Sequence, residues 1–336
     1  MLSVTDRPVE LRSESEQAAR RRKKAAVKVV LTLAALLWFA WRLHVRQIAY
    51  SLAHLNPLWF GLAVAVFLGG QSLCAWKWSI LARSAGFRMP LRFYWTNYLG
   101  AMFPSLFLPT SVGGDVFRMV ALAQSDPRHD RAGAMVSVLA DRGTGVLAMA
   151  CIASLAAAAG GAAGLPLAMS QTIYTLFGGL CLLFALPFAA RALPIWKRLV
   201  TQARENPNSS KLQAAAAQVL VCWEHPGALL LSVALSFVFQ ALMGGIYLLL
   251  GRAIGLPAPP QFYFIAAPIA SLAALSPVTI NGLGERMAAL VVLFAAVGME
   301  HSQAVVFGLE WTALAMLSAL FGGAVLLLSD RLGDAS

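Results

Sequence analysis

The sequence predicts an all-α polytopic membrane protein, built as an inverted-topology repeat of three full spans plus one re-entrant hairpin in each half. Three observations carry that expectation. Apolar residues are too abundant for a water-soluble core. Long stretches hold no ionisable side chain. A short segment, Pro109–Leu122, recurs half a chain later.

Of 336 residues, 59% are hydrophobic and 12% charged, with a mean hydropathy of +0.70. A soluble domain carries about 25% charged residues, so lipid must cover much of this surface. Pro57–Trp76, Gly143–Ala190, Pro226–Gly251, Ala253–Gly284 and Trp311–Ser329 contain no Asp, Glu, Lys or Arg. A span needs about 20 such residues, and the Gly/Pro turn Gly160–Pro166 divides the longest stretch into two spans. Net charge is +11, with the basic residues in short segments beside apolar runs. That is a topology signal, and no nucleic-acid recognition motif accompanies it. Cys74, Cys151, Cys181 and Cys222 form no C-x-x-C, and His44, His54, His129, His225 and His301 form no H-x-x-x-H. No metal or cofactor is expected from them.

The elements follow from charge. Residues 1–24 are polar, end in Arg20-Arg21-Arg22-Lys23-Lys24, and precede an apolar run with no small-residue cleavage site. They read as a cytoplasmic tail before a retained span. Span 25–43 leads out, and span 57–76 returns to Lys77, Arg83, Arg88 and Arg92. The stretch 93–124 is flanked by inside segments, so it enters and leaves on one side. Spans 132–159 and 168–190 lead out and back to the basic loop 191–226. Span 227–250 leads out again, 261–299 is a second same-side excursion, and 304–329 returns to a cytoplasmic tail at 330–336. Internal segments are basic and external ones poor in Lys and Arg, apart from Arg42, Arg46 and Arg252. The expected location is the cell membrane, with both termini cytoplasmic. Repeat 1 covers 25–160 and repeat 2 covers 161–329.

The repeated segment is Pro109–Leu122 over Pro277–Leu290. Pro, the second Gly, Arg, Met, Ala and Leu coincide without a gap. An odd number of spans per half inverts the second copy, which is a transporter architecture with broken helices converging near the midplane. Phe93–Leu108, as a helix, extends about 24 Å, enough to reach the membrane interior. Two full spans joined by a kink is the alternative for 261–299.

Ionisable residues inside apolar stretches cost about 2.5–3.5 kcal/mol each at the bilayer centre. Here they are Asp115 and Arg118, Asp141 and Arg142, Glu285 and Arg286, and Glu310. Pro109 stops an incoming helix, Gly113 and Gly114 permit a turn, and Asp115 can cap the outgoing half-helix. Arg118 adds a fork suited to phosphate or carboxylate. In the second copy Asn281 or Thr279 supplies the cap, Gly282 and Gly284 the flexibility, and Arg286 the fork. Two half-helix N-termini with one Arg each suit an anionic headgroup. The competing expectation is structural pairing: Asp115 with Arg118, and Asp141 with Arg142 or Arg286. Glu310 has no local basic partner.

At these residues the chain resembles the lysylphosphatidylglycerol synthase transmembrane family, the flippase-like domain family. Its L-P-x-x-x-G-G-D-x-x-R signature is matched by Leu108-Pro109, Gly113-Gly114-Asp115 and Arg118. Its acid-Arg pair is matched by Asp141-Arg142. Its P-x-x-x-x-G-x-G-x-R-E is matched by Pro277, Gly282, Gly284 and Arg286, with Met287 in place of the final Glu. The resemblance covers Ala25–Ser329. It implies movement of a phospholipid or other anionic lipid across the bilayer. The chain ends at Ser336, shortly after the last span, so a stand-alone member without the soluble synthase domain, and not an enzyme, is expected. The alternative is an integral-membrane enzyme or accessory protein of polyprenyl-phosphate or lipid-linked sugar metabolism, since some stand-alone members carry such labels. No D-x-D, D-D-x-x-D or P-loop occurs, which weighs against Mg²⁺-dependent catalysis and ATP hydrolysis. A homo-oligomer stays open.

Overall fold

The computed structural model describes residues 55–106, 113–126, 131–161, 165, 167–190, 225–275 and 282–333. The expected tail 1–24, span 25–43, most of loop 191–226, Pro109, Pro277, Thr279, Asn281 and residues 334–336 lie outside the described residues. The protein is all-α: α1 Pro57–Ser84, α2 Leu91–Gly100, α3 Met102–Ser105, α4 Gly113–Ser125, α5 Arg131–Ala156, α6 Leu167–Ala190, α7 Pro226–Ala253, α8 Pro260–Ala273, α9 Leu283–Ala296 and α10 His301–Gly333. A wider turn, Ala157–Gly161, prolongs α5.

Five of these, α1, α5 with its extension, α6, α7 and α10, are long and apolar enough to cross a bilayer. The 28 residues of α1 extend about 42 Å, past a hydrocarbon core of about 30 Å. Proline opens several helices, where its missing N–H costs nothing. Pro57 begins α1 beneath an Asn56 side chain that accepts the Leu58 N–H at 3.0 Å, and Pro226 begins α7. Exposed Leu182, Leu183, Leu186, Leu320, Leu327 and Leu328 lie on α6 and α10, the surface lipid covers. The expected second span stops at Trp76, but α1 continues to Ser84. Its boundary was set by Lys77, whose charge is neutralised inside the protein and does not mark the membrane edge.

The expected excursions consist of short helices. Those of 93–124 are α2 with α3 and then α4; those of 261–299 are α8 and α9. The 14 residues of α8 or α9 reach about 21 Å, short of a crossing.

Elements of the two halves correspond in order. Pro57 and Pro226 start α1 and α7. Both helices end the same way: Gly86 (φ 96°) and Gly255 (φ 69°) take the left-handed conformation. Phe87 and Leu256 then donate to Ala82 and Gly251 carbonyls at 3.0 and 2.8 Å, a Schellman closure. Pro90 and Pro259 precede α2 and α8, and Tyr94 matches Tyr263. All of these pairs share one spacing along the chain. Across the turns after Leu106 and Leu275 the spacing shortens by a single position, which aligns Gly114 with Gly282 and Arg118 with Arg286. From α5 and α10 onward the original spacing returns, and Asp141 aligns with Glu310.

Corresponding helices α1 and α7 run antiparallel. The Asn56 N–H at the start of α1 donates to the Ala253 carbonyl at the end of α7, 2.9 Å away. Arg252 lies 5.4 Å from the Trp59 ring, and further along Lys77 reaches Ser236. Two further contacts are exchanged between halves. Helix α5 packs on α8 while α10 packs on α2.

Gly114 and Gly282 hold each outgoing half-helix against the end of the incoming one. A Cβ at Gly114 would meet the Ser105 hydroxyl at 2.5 Å, and one at Gly282 would strike the backbone of Ala274. Gly282 is also left-handed (φ 65°). Gly282→Ala should therefore destabilise the protein by about 1–3 kcal/mol or more, read as a lowered unfolding midpoint in detergent micelles. An unchanged midpoint would contradict this close approach.

Candidate functional site

A buried ion-pair network joins α1, α4 and α5. Arg118, only 2% exposed, donates through Nη1 to Asp141 Oδ2 at 3.1 Å and through Nη2 to Asp115 Oδ1. Its guanidinium lies 5.1 Å from the Trp78 ring and 4.3 Å from the Tyr98 ring, contacts that favour a cation over a ring face. Arg142 grips the other edge of Asp115, donating from Nε and Nη2 at 2.6 and 2.9 Å. Lys77 Nζ sits 2.9 Å from Asp141 Oδ1, off the hydrogen-bonding direction. Its hydrogen bonds go to the Asp141 carbonyl at 3.1 Å and the Ser236 hydroxyl at 2.9 Å. Ser236, Thr144 and Ser232 continue the polar chain between α5 and α7. Burial of Lys77, Arg118, Asp115 and Asp141 is tolerable because each meets an opposite charge, with the more exposed Arg142 adding a third cation.

The second half departs from this plan. Glu310 occupies the position of Asp141, but Lys77 corresponds to Ile246 and Arg142 to Trp311. Glu310 is fully buried and neither carboxyl oxygen has a hydrogen-bond partner. Arg286, the counterpart of Arg118, donates to the Tyr247 hydroxyl at 2.8 Å and stacks 4.7 Å from the Trp311 ring.

Between the halves lies a cavity of about 280 Å³. Its walls include corresponding pairs: Gln71 and Gln240, Met102 and Ser271, Ser105 and Ala274, Leu106 and Leu275, Arg118 and Arg286, Arg142 and Trp311. The charged residues lining it are Arg118, Arg142, Arg286 and Asp115. Three guanidinium groups against one carboxylate give it a positive field. Arg142, with 47% of its side chain exposed, is paired yet open to this space. Met149 lines both this cavity and an apolar groove of about 470 Å³ bounded by α5, α6 and α8, with Ile173, Leu176, Pro268 and Leu272 in its wall.

The structure thus places Gly114, Asp115, Arg118, Arg142 and Arg286 around one cavity. Gly113 starts α4 and is buried. Gly282 and Gly284 lie at the start of α9, Asp141 lies behind Arg118, and Asn281 is outside the described residues. The expected pairing of Asp115 with Arg118 is present. Asp141 pairs with Lys77 and Arg118 instead of Arg142 or Arg286. Neighbours on a helix point about 100° apart, so Arg142 cannot double back to Asp141 and reaches Asp115 on α4. The side-chain partners of Asp115 are the two arginines, whereas the sequence predicts a helix cap for it. Arg118 lines the cavity but is 2% exposed, whereas Arg142 has 47% of its side chain exposed there. Sequence reasoning missed Lys77, Gln71 and Gln240. The two glutamines were visible as amides at corresponding positions of α1 and α7, each within an otherwise apolar run. Among the described residues no group of three or more His, Cys, Asp or Glu is placed to hold a metal ion.

The family model for the lysylphosphatidylglycerol synthase TM region matches residues 25–323, and the chain belongs to that family. No curated protein matches it.

Asp141→Asn should destabilise the protein by about 3–5 kcal/mol, because Lys77 and Arg118 lose their common counter-charge. Adding Lys77→Met should restore part of that loss, with a coupling of about 0.5–3 kcal/mol in a double-mutant cycle of unfolding free energies. Strict additivity would contradict the pairing.

Proposed function

We propose that this member of the family is a lipid translocator that carries a phosphate-bearing headgroup through the cavity between two inverted repeats. It works in the cell membrane with both termini cytoplasmic and performs no catalysis. The observation that carries this reading is the cavity itself. Arginines from both halves line it, and it shares Met149 with an apolar groove. An amphiphile needs both. Guanidinium forks bind phosphate oxygens in pairs, and the groove can shelter the first part of an acyl chain.

Inversion is supported by the antiparallel run of α1 and α7 and by the exchange of packing partners between halves. Inverted repeats give two conformations of opposite access when each half adopts the arrangement of the other. Here the halves differ: the first has its arginine locked on two carboxylates, and the second has its arginine turned to the cavity. A rocking exchange of these arrangements would move the open side from one face to the other.

The test is reconstitution in liposomes with fluorescent phospholipids and a membrane-impermeant quencher. Wild-type protein should speed loss of outer-leaflet signal. Arg142→Ala and Arg286→Ala should each slow it about tenfold or more, the equivalent of about 1.4 kcal/mol of lost interaction, with unfolding midpoints near wild type. No acceleration by wild type for any headgroup, or full rates in both variants, would contradict the proposal.

A further inference from the structure

Glu310 is a fully buried intramembrane acid outside the ion-pair network. It sits on α10 with no exposed surface and no hydrogen bond to either carboxyl oxygen. The Tyr263 hydroxyl on α8 is likewise without a partner. Asp141, its counterpart in the first half, sits between Lys77 and Arg118. Glu310 has Ile246 where Asp141 has Lys77, and Arg286 in the place of Arg118 is directed away, to Tyr247 and Trp311.

The ionisable groups on the helices packed around α10 are Cys74, Lys77 and Arg83 on α1, Arg92, Tyr94 and Tyr98 on α2, Tyr247 and Arg252 on α7, and Glu285 and Arg286 on α9, with His301 at the start of α10 itself. Tyr263 on the neighbouring α8 completes the set. Among the described residues none hydrogen-bonds or ion-pairs with Glu310. An ionised carboxylate there would have neither water nor counter-charge, and burying one uncompensated is the most expensive arrangement a side chain can adopt.

We infer that Glu310 is a proton-binding site that exchanges its proton for the Arg286 guanidinium. While Arg286 faces the cavity, Glu310 is the neutral acid. When Arg286 turns to it, in the way Arg118 meets Asp141, the carboxyl releases one proton to cavity water and becomes the counter-ion of Arg286. No other bond forms or breaks. The consequence rests on the translocation reading. An anionic headgroup holding Arg286 in the cavity keeps the proton on Glu310, so one anion and one proton load together and leave together, and transport of a monoanionic headgroup is electroneutral.

The test is infrared spectroscopy of the full chain in lipid nanodiscs. Wild type at neutral pH should show a neutral-carboxyl C=O band that is lost in Glu310→Gln. Glutamine mimics the neutral acid in shape, so the variant should fold as wild type does. Isotope-labelled glutamate should shift the band in unmutated protein, which tests the assignment without any variant. At alkaline pH wild type should lose the band, whereas Arg286→Ala should retain it because the exchange partner is gone. Absence of a glutamate-sensitive band at neutral pH would overturn the proposal. So would a band that titrates identically in Arg286→Ala. The band is read without lipid movement. Its presence in a protein that fails the liposome assay would leave the proton site standing and remove the transport reading, and its absence in an active protein would do the reverse.

Discussion

Everything in this structure depends on Arg118 bridging Asp115 and Asp141. Helix α4 is only 13 residues long, too short to cross a bilayer alone, and it begins inside the protein. It is held there because Arg118 reaches back to Asp115 one turn earlier and across to Asp141 on α5. Each charge alone would be excluded from the membrane interior. Together they form a compensated unit with Lys77 and Arg142, and Trp78 and Tyr98 cover the guanidinium. The network fixes α1, α4 and α5 relative to one another, which leaves α8, α9 and α10 to form the opposite wall of the cavity.

The two walls are the same design with different charges. Both halves line the cavity, in part through corresponding residues, so it lies where the halves meet. The differences are few. Ile246 replaces Lys77, Trp311 replaces Arg142, and Glu310 has one more methylene than Asp141. These changes remove two cations from the second half and leave Arg286 to an aromatic face and a phenol. One half has its arginine paired with two carboxylates; the other has an arginine and an acid that do not meet. In the proposed transport, Arg286, whose hydrogen bond goes to Tyr247 and not to a carboxylate, is the cation that an anionic headgroup would compensate.

Much of this was legible in the sequence. Uncharged runs placed five described spans within a few residues of their helices, except at the end of α1. The Pro109 and Pro277 segments pointed to a duplication, and the charges inside apolar runs named the four charged residues of the cavity wall. Lys77 was misread because a lysine at the end of an apolar run resembles a topological marker. Only the distant positions of Asp141 and Ser236 show that it is buried. The pairing of Asp141 was hidden for the same reason, since three cations compete for two carboxylates and helix phase decides among them. The spacing read from the two matching turns, Pro109 to Pro277, is one position shorter than the spacing that relates the long helices, Pro57 to Pro226. That small difference obscured the relation between Asp141 and Glu310, and with it the missing lysine.

The opposite orientation of the two halves is the proposal on which the cavity's proposed role turns. Its most direct test is the sidedness of two corresponding exposed positions, Arg88 after α1 and Pro257 after α7. Single cysteines at these sites, in protein lacking Cys74, Cys151, Cys181 and Cys222, would be labelled in sealed vesicles with a membrane-impermeant maleimide. The account predicts modification from opposite faces, the Arg88 position from the cytoplasmic side. Labelling of both positions from the same face would contradict it.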